Sequence, residues 1–142
     1  MRFVLFLLCL CLVNIVHAEK GSSSVADVYK LSPSIYDVKG MGNWQKGSRG
    51  GQIRLVITRT QKQDEVFLQW VQWDDKGPEI VKSTMAIKEI QQQGRFKVDF
   101  IRRETVGHSR KIVLGLENLY DKTSLRGIIQ VQDLGVYSCK FE

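Results

Sequence analysis

The chain has 142 residues, 21 Lys and Arg against 15 Asp and Glu, and a formal net charge of +6. That length suits one domain of ordinary size. A charge this moderate, with acids distributed among the bases, argues against a dedicated nucleic-acid track and allows only weak attraction to anionic surfaces.

Arg2 followed by the apolar run Phe3 to Val16, then Val16-His17-Ala18, reads as a signal peptide cleaved after Ala18. The run falls short of the roughly 20 residues that span a bilayer, so the mature chain is not expected to be transmembrane. Cys9 and Cys11 leave with the signal, and neither follows the small residue a lipid attachment site requires. Cys139 then remains alone, so the fold must rest on a core rather than on disulfides, in a secreted or periplasmic setting.

Residues 19–37 read as a leader with a flexible Ser22-Ser23-Ser24 and a break at Pro33; residues 38–142 read as a single β domain. From Val38 onward apolar residues alternate with polar ones. Ile53, Leu55 and Ile57 share one face of a strand, as do Val66, Leu68 and Trp70. Pro78 to Gln93 is ambiguous. Pro78, Glu79 and Gly94 would suit a short helix, but the Ile, Val and Thr content favours a strand. Phe96, Val98 and Phe100 alternate most cleanly, with Asp99 placed outside. Ile112, Leu114 and Leu116 follow, then Leu125, Ile129 and Val131 around Gly127, and finally Tyr137, Cys139 and Phe141.

Turn-forming clusters separate these runs: Gly47 to Gly51, Gln61 to Asp64, Asp74 to Pro78, Val106 to Ser109, Asp121 to Thr123 and Asp133 to Gly135. Such short links join antiparallel neighbours. About eight strands in a meander predict an up-and-down barrel, with a β-sandwich as the alternative.

Catalytic constellations are scarce. His108 is the single histidine after the signal and sits beside Gly107 in a turn, without the neighbours of a serine triad. One His and one Cys are too few for structural zinc, Asp74-Asp75 lacks the spaced carboxylates of a calcium loop, and no cofactor-binding glycine motif is present. Glu65, Asp99 and Glu104 read as parts of a solvated charge mosaic. Basic residues are expected on outward faces: Arg54, Lys97, Arg102, Arg103, Arg110, Lys111 and Arg126. Nucleic acid is an unfavoured partner for them; anionic glycans or lipid head groups suit them better.

Gly42-Asn43-Trp44, opening the first strand, resembles the G-x-W signature of the calycin superfamily, which includes lipocalins, fatty-acid-binding proteins and avidins. The resemblance implies an up-and-down barrel whose tryptophan closes one end, with a basic residue from a late strand across it: Arg126 or Lys140 here. It also permits an apolar ligand inside the barrel, for which Trp70, Phe96, Phe100 and Tyr137 are the candidate lining residues. The paired cysteines usual in secreted lipocalins are absent. The expected function is therefore a non-enzymatic exported binding protein, without cofactor or metal, holding a small apolar ligand or docking a protein or envelope partner. The alternatives are a secreted inhibitor of a hydrolase such as lysozyme, working through the loops Gly47 to Gly51 or Asp74 to Pro78, and an enzyme of unknown class.

Overall fold

The computed structural model describes residues 30–142. The expected signal peptide and the first part of the leader lie outside the described residues. Two four-stranded antiparallel meanders make up the structure. The first holds β1 (Ile35–Lys46), β2 (Arg49–Arg59), β3 (Asp64–Gln72) and β4 (Ile80–Ala86). A short helix α1 (Lys88–Gln93) leads into the second, made of β5 (Phe96–Val106), β6 (Ser109–Asn118), β7 (Ser124–Asp133) and β8 (Val136–Phe141). In each sheet the strands lie in chain order. Among the described residues no backbone pairing joins β4 to β5 or β1 to β8, so the eight strands form two four-stranded sheets around one core, without a closed hydrogen-bonded ring.

Alternation places the core. Ile53, Leu55 and Ile57 on β2 face Val66, Leu68 and Trp70 on β3, and all six are buried. From the other sheet Phe96, Val98, Ile112, Leu114, Leu116 and Ile129 meet them in one cluster. Gly127 brings β7 close to β6, since a Cβ there would lie 3.2 Å from Leu116. The segment 78–93 divides between both readings. Its β-branched first half forms edge strand β4. Its second half forms α1, whose Ile90, with Ile87 just before it, is buried in the core.

Polar ties join the sheets where they cross. Asp64, almost fully buried, receives the Arg59 guanidinium on both oxygens (3.0 and 2.8 Å) and the Val98 backbone N–H (2.9 Å). Arg59 also stacks on Tyr36, 3.4 Å from the ring centroid. Hydrogen bonding to Asp64, above all, holds Arg59 protonated beyond its ordinary range. Two further arginines reach across to β1: Arg103 donates to the Gly40 carbonyl (2.8 Å) and Arg110 to the Asn43 carbonyl (3.3 Å).

Those two arginines correct the expectation that they face outward. On β6, Arg110 shares a face with Ile112 and Leu114, which alternation itself requires. On β5 a bulge between Phe100 and Arg102 adds one residue, so Arg103 pairs with inward-facing Ile112 and Arg102 takes the outer face. Arg102 there contacts Glu104 at 2.6 Å, with Lys111 at 3.4 Å from the same carboxylate. The Arg102 hydrogen bond, then the Lys111 charge, hold that carboxyl below its usual range.

Candidate functional site

In a meander every second turn lies at the same end. The β1–β2 turn (Gly47-Ser48), the β3–β4 loop, the β5–β6 turn (Gly107-His108) and the β7–β8 turn therefore gather at one end of the two sheets. Between them opens a cleft of about 790 Å³. Its floor is apolar, formed by Ile53, Val131 and Trp44. Its walls are polar: Arg49 and Asp75 from the first sheet's turns, His108, Arg110 and Asp133 from the second. Trp73 stands on the rim, 48% exposed. The amides of Asn43, Gln45 and Gln132 complete the lining.

Trp44 is fixed by local chemistry. Its indole Nε1 donates to the Val71 carbonyl at 3.0 Å, tying β1 to the end of β3. The residue paired with it is Gly51. A Cβ at Gly51 would overlap the Val71 carbonyl oxygen and lie 2.8 Å from the indole nitrogen, so only glycine lets the ring lie down there. Just past the same strand end stands Trp73, whose backbone N–H donates to the Gly50 carbonyl at 3.0 Å. Buried Trp44 and half-exposed Trp73 thus mark the floor and the lip of one cleft.

Arg110 lies across the G-x-W segment. At Gly42, with φ +99°, a Cβ would come 2.8 Å from the Arg110 Nε, so the guanidinium stem occupies space that another residue's side chain would take. Arg126 and Lys140 do not hold this position. Both are exposed, on the outer face of the second sheet, where the Arg126 and Glu142 backbones pair and Lys140 contacts Glu142 at 3.2 Å. The basic residue beside Trp44 comes from β6.

The residues expected to line an apolar cavity lie elsewhere. Trp70 is 0% exposed and Phe96 2%, both packed in the core cluster. The Trp70 Nε1 is buried without a protein partner, as is the Gln72 Oε1. Phe100 packs against the cluster from its edge, with the Lys39 ammonium 5.5 Å from its ring centroid. Tyr137 borders α1, donating to Glu89 (3.0 Å) and the Ala86 carbonyl (3.3 Å). Burial, then the bond to Glu89, push its phenol up to about 12. Cys139 beside it is free and half-buried, and burial, with help from Glu89, pushes its thiol up to about 11. The core cluster unites Trp70 and Phe96 with Phe100 and Tyr137 packed against it, but none of the four lines the cleft.

The sequence places His108 in a turn and marks the loops Gly47 to Gly51 and Asp74 to Pro78, without bringing them together. Arg49 and Trp73 go unmarked there as cleft residues. The available signal was topological, because the odd-numbered turns of a meander share an end. Among the described residues no group of three or more His, Cys, Asp or Glu side chains is placed to hold a metal ion. No described helix is long and apolar enough to cross a membrane. No family model, curated protein or solved structure matches the chain.

Proposed function

We propose that the protein is an exported, non-enzymatic binding protein that takes a saccharide in the cleft at the turn-rich end of its two sheets. The observation that carries this reading is the pairing of a half-exposed tryptophan lip with planar polar walls over a small apolar floor. Sugars present a weakly positive C–H face, which suits the negative face of Trp73. Their hydroxyls both donate and accept, which suits guanidinium, amide and carboxylate groups arranged around them. The volume, about 790 Å³, falls in the range of about 300–1,000 Å³ usual for small-ligand sites. Export is supported by the sequence of residues 1–18.

The same reading takes the two meanders as halves of a flattened calycin-like barrel. Trp44 and Arg110, packed at Gly42 and Gly51, support that likeness. A filled interior moves the ligand from the centre, where Trp70 and Phe96 are packed, to the mouth.

A screen of oligosaccharides by intrinsic tryptophan fluorescence tests the proposal. Trp73→Ala should lose the response while changing stability by no more than about 0.5 kcal/mol, as expected for an exposed rim residue. A response to fatty acids or retinoids, with none to any oligosaccharide, would refute it. A second reading, docking of a hydrolase, is favoured by one fact: the two loops suited to inhibition, at Arg49 and Asp75, both border the cleft. Co-purification with a secreted hydrolase that Trp73→Ala abolishes would support that reading instead.

A further inference from the structure

We infer that the cleft selects an acidic saccharide, one carrying carboxylate or sulfate groups, and that Arg49 and Arg110 recognise the acid. This rests on the reading of the cleft as a sugar site and adds the class of sugar. Uncompensated charge sets these two arginines apart. Two outward guanidiniums meet carboxylates: Arg54 lies 2.9 Å from Glu79, and Arg102 2.6 Å from Glu104. In the cleft they do not. The Arg110 guanidinium donates only to neutral carbonyls, those of His108, Ser109 and Asn43, at 3.3 to 3.4 Å. These bonds aim the group without neutralising it. The Arg49 side chain makes no hydrogen bond or ion pair among the described residues.

The lining's own charges balance, Arg49 and Arg110 against Asp75 and Asp133, and Lys46 just outside it tips the sum. Asp133 is answered by Lys46 at 3.8 Å and accepts the Leu134 N–H at 2.6 Å. Asp75 alone is left against two guanidiniums. Counting Lys46 beside the lining, one positive charge is left over at a concave space, where the field is focused rather than dispersed into solvent. A guanidinium fork matches a carboxylate or sulfate oxygen pair in shape as well as in charge.

Placement decides between a sugar acid and a membrane. Arg49 opens β2 in one sheet and Arg110 lies on β6 in the other, so the two approach a ligand from opposite walls. Trp73 supplies a ring platform beside them. A lipid surface meets the outermost points of a protein, whereas Arg110 is half-buried and reachable from within the recess. An anionic group carried on a saccharide chain can enter; a bilayer plane cannot.

Calorimetric titration of the full mature chain with trigalacturonate and with its methyl ester tests this, since the two trimers differ in charge and share a skeleton. The acid should bind at least about tenfold more tightly than the ester at low salt, with the gap narrowing as ionic strength rises. Arg49→Gln, which disturbs no hydrogen bond, should weaken the acid about tenfold and the ester, which keeps only hydroxyl contacts to this group, by about twofold or less. Arg110→Gln should do the same, with circular dichroism checking that losing the bond to Asn43 leaves the fold intact. Equal binding of the two trimers, or no effect of Arg49→Gln on the acid, overturns the inference and leaves the sugar site standing. Binding of neither trimer, or binding to phosphatidylglycerol vesicles alone, overturns both.

Discussion

Asp64 opens β3 with almost none of its surface in water, and the sequence offers no hint of this, because Gln61 to Asp64 reads as a polar turn. Burial is possible because Arg59 grips both its oxygens and the Val98 N–H bonds one of them across the sheets. Removing Asp64 leaves the buried Val98 N–H without its acceptor and Arg59 with only Asp99, 4.0 Å away. Asp64→Ala should therefore lower stability by about 3–5 kcal/mol, read from the urea midpoint. Gly51 is the second decisive residue. Gly51→Ala forces the Val71 carbonyl and the Trp44 indole to move apart. We expect a loss of about 1–3 kcal/mol, the usual range for overfilling a packed site. Its companion sign should be faster hydrogen exchange of the Trp44 indole, whose bond to Val71 would be broken.

At the scale of elements, α1 shows what alternation alone cannot resolve. A six-residue helix has little stability of its own and forms because Ile87 and Ile90 are buried against the sheets. Ile90→Ala should lower stability by about 2–5 kcal/mol in the same denaturation assay, a core cavity rather than a loss of helix propensity. The seam between α1 and β8 also gives a signature in base. Cys139 rises from 9.0 to about 11 and Tyr137 from 10.0 to about 12, both first through burial. Between the unfolded and folded values the folded chain binds more protons than the unfolded one, so stability falls as pH rises. Thermal melts should show this contribution fully present below pH 9 and lost progressively up to about 12. Cys139→Ala should remove the earlier part of the decline.

The succession of strands, most inward faces and most turn positions were legible in the sequence, because a pleated strand has a period of two and hairpins announce themselves with Gly and Asp. The bulge at Ile101 was not legible, and it alone reverses the facing of Arg102 and Arg103. The inward Arg110 was legible from its spacing to Ile112 but was masked by its charge. Its guanidinium finds two carbonyls close by, at His108 and Ser109, and a third on β1, at Asn43, far away in the chain.

For the whole molecule, two meanders sharing one core put four turns at the same end, and that end gathers Trp73, Arg49 and Arg110 around an apolar floor. The interior is occupied by its own side chains, Trp70 and Phe96 among them. Binding at the mouth rather than in the interior is the central claim, and the three tryptophans report on it separately: Trp73 at the lip, Trp44 in the floor, Trp70 in the core. The most direct measurement is the shift of their three indole N–H resonances in an ¹⁵N-labelled sample titrated with trigalacturonate. The Trp73 signal should move most and that of Trp44 less, with Trp70 nearly still; movement of Trp70 while Trp73 stays fixed would contradict the account.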